Sequence, residues 1–168
     1  FAYALLWSKK KAATIFPNPY KRIVVMGIVL SIVFLLLDKG RYSGLGTNLI
    51  TASFAGQSIY LYDWFFKLLL TVLTLSAGFQ GGEVTPLFAI GASLGVLLAG
   101  LFGLPVSLVA ALGYAAVFGS ATSTFLGPIL IGCEVFGFSN FPYFFIVCVV
   151  AFSLHRQHSI YGAQKIRY

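Results

Sequence analysis

The sequence predicts an all-α integral membrane protein built from short, interrupted helices. Three observations carry this. The 168 residues are 59% hydrophobic and only 9% charged, against about 25% charged in a soluble domain, and mean hydropathy is +0.93. Between Lys67 and Arg156 the only charged residues are Glu83 and Glu134. The apolar stretches are broken by Gly, Pro, Ser and Thr before they reach the roughly 20 residues of a full span. Such interruptions are tolerated at membrane depth where they line a protein-enclosed site.

The net charge of +7 does not point to nucleic acid, because the basic residues gather at segment ends: Lys9, Lys10, Lys11, Lys21 and Arg22, then Arg156, Lys165 and Arg167. This is the loop pattern of a multi-pass membrane protein with basic ends in the cytoplasm, with Lys39 and Arg41 as exceptions on the outer side. Cys133 and Cys148 lie in apolar stretches without metal-ligand spacing and are expected to be reduced core residues. No cleavable signal sequence is evident. The chain opens Phe1-Ala2-Tyr3, as if inside a hydrophobic helix, and is expected to be a fragment of a longer membrane domain.

Taken in order, residues 1–7 are too short to span and read as the end of a preceding helix. Residues 8–22 read as a basic loop with Pro17 and Pro19, and membrane helices are expected from there to the end of the chain. Residues 23–37 form an apolar helix, ended by Asp38-Lys39-Gly40-Arg41. Residues 42–62 are too rich in Gly, Ser and Thr to face lipid and predict a short buried helix with loops. Residues 63–77 form a helix with Trp64 as an interfacial anchor. After a break at 78–82, residues 86–101 form a helix with Thr85 as N-cap and Pro86 as first helical residue. Gly91 and Gly95, four apart, let one face of it approach another helix closely. A turn at 103–105 leads to a helix at 107–118, a polar break at 119–124, and a short helix at 125–136 containing Pro128. A loop at 137–140, a helix at 142–154, a linker at 155–160 and a last short helix from Tyr161 complete the chain.

The candidate chemistry lies in Gly81-Gly82-Glu83-Val84-Thr85-Pro86. The glycines allow tight turns and close approach of a ligand. The following helix start offers free N–H groups, which favour anions, and the Thr85 hydroxyl is a further donor. Ionised Glu83 repels an anion, whereas protonated Glu83 donates to one, and burial favours the protonated form. A carboxyl so placed links anion binding to proton binding; the alternative is that Glu83 pairs with a basic residue elsewhere in the fold. Glu134, in a short apolar helix, reads as a structural acid accepting hydrogen bonds from a neighbouring helix start or Ser/Thr cluster. Tyr161 reads as an interfacial aromatic, and His155 and His158 as solvated linker residues. No hydrolase triad, phosphate loop, haem site or zinc cluster is present, so neither enzyme activity nor a metal or cofactor is expected.

These stretches resemble the C-terminal half of the CLC family of anion channels and anion/proton antiporters. Gly82-Glu83-Val84-Thr85-Pro86 stands where the family has Gly-x-Phe-x-Pro, the opening of an anion-coordinating helix. Residues 119–134 resemble a helix pair ending in a family acid. Ser159-Ile160-Tyr161-Gly162-Ala163 resembles the start of the last helix, whose tyrosine hydroxyl contacts the central anion. The resemblance implies a CLC-type fold of two inverted halves and a homodimer with helices matching 125–154 on the dimer surface. It implies anion-binding roles for Gly82, Glu83, Val84, Thr85 and Tyr161. Here Val84 replaces the family Phe and is preceded by Glu83. That form resembles the fluoride/proton antiporter branch, in which the matching Glu and Thr handle fluoride. Fluoride is small and strongly hydrated and needs strong donors. The implied partners are fluoride or chloride, protons and the lipid bilayer of a bacterial inner membrane. The N-terminal half, with its gating glutamate, is not represented, so these residues are expected to hold about half a site. The rivals are a chloride channel or chloride/proton exchanger and, in another class, a non-transporting membrane scaffold or enzyme subunit.

Overall fold

The computed structural model describes residues 1–154 and 159–161. Among the described residues eight α-helices follow one another: α1 (Ala2–Ile15), α2 (Pro19–Leu36), α3 (Thr47–Phe54), α4 (Asp63–Ala77), α5 (Val84–Phe102), α6 (Val106–Thr122), α7 (Leu126–Phe136) and α8 (Phe141–Leu154), with single 3₁₀ turns at Asp38–Gly40 and Phe138–Asn140. Among the described residues there is no strand. α2 and α5 are long and apolar enough to cross a membrane, and the remaining apolar helices are shorter.

Most element boundaries follow the sequence, with three corrections. The basic stretch 8–22 is not a loop. Lys9 to Ala13 lie inside α1, because lysine and alanine are strong helix formers and the charges reach outward on long stems. α2 then begins at Pro19, four residues before the apolar run, since Asn18 caps it by accepting from Tyr20 N at 3.0 Å and Lys21 N at 3.3 Å. The expected polar break at 119–124 is helical as far as Thr122. There the Thr122 hydroxyl donates back to the Phe118 carbonyl at 2.8 Å, and Ser123 ends the helix in the left-handed region at φ 51°. The final helix expected from Tyr161 onward lies outside the described residues.

α5 is the central element, packing on α3, α4 and, most extensively, α6. α1 and α2 rest on the far side of α4, and α7 and α8 rest on α6. Three apolar clusters hold these layers. One joins Leu5, Val72, Leu87, Ala121 and Ile160; another joins Leu30, Tyr42, Leu49, Leu70 and Ala89; the third joins Ala111, Ile129, Cys133, Phe144 and Cys148. Both cysteines are free and buried. α2 buries only Leu30, so its apolar surface is left for lipid or for a partner.

The α5–α6 seam is made by glycine, as the spacing of Gly91 and Gly95 predicts. A methyl placed on Gly95 would lie 2.5 Å from the Val109 carbonyl oxygen, and one on Gly91 would meet the backbone of Gly113. With the backbones this close, Phe88 and Tyr114 stack face to face at 3.9 Å. Neither obstacle is a flexible side chain, so the helices must separate to admit a Cβ. Gly95→Ala is expected to destabilise the protein by at least about 1–3 kcal/mol, the usual cost of overpacking, read as a lower melting temperature of the full-length parent in detergent.

Candidate functional site

The break after α4 delivers the chain to the start of α5. Gly78 closes α4 in the left-handed region at φ 103°, and residues 79–82 run extended and largely exposed to Glu83. The helix begins two residues earlier than expected. Glu83, not Thr85, occupies the N-cap, its side chain makes no capping bond, and Val84 is the first helical residue. Pro86 therefore sits in the third helical position, where its missing N–H removes one of the orphan donors of the first turn. The N–H groups of Val84 and Thr85 have no acceptor among the described residues, and neither does the Thr85 hydroxyl. Three donors thus converge on the helix start, in the region where the helix dipole favours an anion.

Glu83 turns away from these amides. Its Oε1 lies 3.7 Å from Lys9 Nζ of α1, with the two side chains 20% and 44% exposed. A cavity of about 620 Å³ opens in front of this pair, lined by Lys9, Arg22, Gln80, Gly81 and Glu83 among others. The Arg22 Nε–H is anchored on the Ala77 carbonyl at 3.1 Å. Both the ionic pairing and the helix-start placement read from the sequence are therefore present in the one residue. Ionised, Glu83 rests on Lys9; protonated, it would become a fourth donor beside Val84 and Thr85.

Tyr161 follows a short segment seated on the end of α6. Ser159 Oγ donates to the Thr122 carbonyl at 3.1 Å, and the Ile160 N–H donates to the Ala121 carbonyl at 3.0 Å. Ile160 belongs to the same buried cluster as Leu87 of the first turn of α5. The Tyr161 side chain itself is partly exposed, and no described contact joins it to Glu83. Glu134 lies elsewhere. α7 buries Pro128, Ile129, Gly132 and Cys133, which turns Glu134 outward. It is exposed and makes no hydrogen bond or ion pair among the described residues, so the acceptor role expected for it is not filled there. His155 and His158 lie outside the described residues.

Lys67, which bounds the nearly uncharged run, and Asp63, one turn before it, turn out to be buried. Asp63, at the start of α4, is completely buried. It accepts from Arg41 Nε at 3.1 Å and Nη2 at 2.7 Å, from the Tyr42 hydroxyl at 2.7 Å and from the Tyr60 N–H at 2.8 Å. The hydrogen bond to Asp63 holds the Arg41 guanidinium above its ordinary value, while burial and then Asp63 push the Tyr42 phenol up. Lys67, one turn on, is equally buried. Its Nζ donates to the carbonyls of Tyr42 at 3.0 Å and Gly44 at 2.7 Å. The signal that could have found both is an acid and a base four apart on an otherwise apolar helix.

Comparison with known proteins fits this geometry. A model of the voltage gated chloride channel family matches residues 1–156. The chain belongs to this CLC family. A chloride/fluoride channel protein of Pseudomonas syringae pv. tomato is 41% identical over 130 residues, which is 77% of this chain and 28% of the relative. The crystal structure of a CLC-type fluoride/proton antiporter is 63% identical and superposes with a TM-score of 0.96 over 98% of this chain and 42% of that one. The all-α CLC-type fold expected from the sequence is therefore established, and the chain spans well under half the length of these relatives. The order of short helices around α5 is that of a CLC membrane domain.

Proposed function

We propose that these residues form the C-terminal half of a CLC fluoride/proton antiporter that exports fluoride from a bacterial cell across the inner membrane. The observation that carries the reading is the start of α5, where Val84 N–H, Thr85 N–H and the Thr85 hydroxyl are free and Glu83 stands at the cap. A small, strongly hydrated anion gives up its water only to several strong donors at once. A carboxyl at the cap adds one donor when it takes up a proton and withdraws it when the proton leaves. Anion binding and proton binding are thereby linked at one residue. The likeness to a structure titled as a fluoride/proton antiporter supports this choice. Tyr161, which follows the Ile160 that packs in one cluster with Leu87, would supply a further hydroxyl, and Gly82 the backbone freedom to approach the ion. A homodimer buries part of the apolar surface left exposed on α7 and α8 by Leu126, Leu130, Val135 and Ile146.

The second reading is a chloride channel or chloride/proton exchanger, favoured by the mixed chloride/fluoride description of the Pseudomonas relative. Flux from liposomes holding the full-length parent separates the two, recorded with a fluoride or chloride electrode and a pH-sensitive dye. Fluoride efflux that drives proton uptake, with little chloride flux, supports the antiporter. Chloride flux of equal size sinks the fluoride assignment. In the same assay Thr85→Val is expected to raise the half-saturating fluoride concentration about 2- to 10-fold, the equivalent of one hydrogen bond of roughly 0.5–1.5 kcal/mol. An unchanged value would remove Thr85 from the site.

A further inference from the structure

We propose that Lys67 is a cation of the translocation pathway, with the permeating anion as its counter-ion; this rests on the anion-transport reading above. Lys67 is 1% exposed within α4. An ammonium has three protons, and two of them are taken by the Tyr42 and Gly44 carbonyls. No carboxylate among the described residues lies within ion-pair distance of it. The ion pairs of the described residues join Lys9 to Glu83 and Arg41 to Asp38 and Asp63. Asp63, the acid one turn away, is already occupied by Arg41, Tyr42 and Tyr60. A lone charge at this depth is expensive and is by default a functional residue.

The surroundings are built around this charge. Gly46 takes a left-handed φ of 85°, and a Cβ there would lie 2.7 Å from Lys67 Cε and 2.9 Å from Ala89 Cβ. The missing side chain is what leaves room for the lysine stem. Lys67 also lines a cavity of about 240 Å³ whose other wall includes Leu45, Gly81, Gly82 and Pro86. That wall is the segment leading to the free donors of α5. Gly81 lines both this cavity and the larger one that holds Lys9, Arg22 and Glu83. Along α4, Lys67 and the closing Gly78 are about 16 Å apart at 1.5 Å per residue. Gly81 therefore borders two cavities, one lined by Lys67 and the other by Lys9 and Arg22, and an anion passing from one to the other would meet a cation in each.

The test uses the full-length parent in liposomes, with initial flux measured against anion concentration for wild type, Lys67→Met and Lys67→Arg. Methionine keeps the packing and removes the charge. It is expected to raise the half-saturating concentration about 10-fold or more, as loss of a close charge in a low-dielectric site should. Arginine, which keeps the charge, is expected to stay within about 3-fold of wild type. If Lys67 only staples the 42–46 segment, Lys67→Met lowers the melting temperature and the maximal rate but leaves half-saturation unchanged, and the proposal is overturned. Lys67→Gln, which keeps a donor for the Gly44 carbonyl, carries the same expectation should the methionine variant not fold. If wild type carries chloride and no fluoride, the fluoride reading fails and the Lys67 comparison is read on chloride. If wild type carries neither ion, both fail.

Discussion

Exchanging Glu83 for glutamine in the full-length parent is expected to abolish proton-coupled fluoride efflux while leaving the fold intact. The amide has the shape of the carboxyl, so packing at the start of α5 does not change. The lost ion pair is half exposed and 3.7 Å long, a class that contributes about 0–1 kcal/mol. What disappears is the exchangeable proton. Glutamine still donates to an anion but does so permanently, so occupancy by the anion no longer follows occupancy by the proton. Flux should fall about 100-fold or more, the scale on which a positioned proton-transfer group contributes. Electrode and dye traces from the same liposomes read both ions. A Glu83→Gln protein that keeps wild-type fluoride flux and proton uptake would sink the coupling role.

Replacing Asp63 by asparagine is expected to produce the largest loss of stability. Four hydrogen bonds from three residues end on a carboxylate with no solvent exposure. Asparagine offers one acceptor oxygen where two are used, and it leaves the Arg41 guanidinium with only the exposed Asp38 carboxylate, 4.0 Å away, as a negative partner. Removing one member of a buried ion pair destabilises by about 3–5 kcal/mol. Arg41 also donates from Nη2 to the Ser58 carbonyl at 2.9 Å, so the loss would spread along the connections on both sides of α3. Thermal unfolding of the full-length parent in detergent measures this, and an Asp63→Asn protein that melts with wild type would refute it.

The architecture was legible where the sequence alternates long apolar runs with glycine and proline. The starts and stops of α4, α7 and α8 fall within a residue of expectation, and the Gly91/Gly95 contact was visible in the spacing. Legibility failed where a local preference competed with context. Thr85 is a better N-cap than Glu83 by intrinsic preference, yet the chain enters the helix earlier, and the donors this leaves unfilled are the ones the proposed anion site uses. The run Lys9-Lys10-Lys11 reads as topology; that one of these lysines meets Glu83 depends on α1 folding back along α4, which no local pattern encodes. In the sequence Lys67 reads only as the edge of an uncharged stretch and Asp63 only as the start of a helix. Their burial depends on the Arg41 side chain and on the space left by Gly46, both far from them in sequence.

The glycine seam between α5 and α6 also limits how this protein can move. Helices separated by interlocking side chains can slide or roll by exchanging rotamers, and many hinge and shear motions proceed that way. Here the two backbones touch directly at Gly91, Gly95 and Gly113, so no layer of rotamers lies between them to be rearranged. α5 and α6 must turn as one body or stay still. Within these residues the freedom to move is left to the short segment ahead of Glu83 and to side chains around it, which makes the helix pair a fixed anvil against which small parts swing.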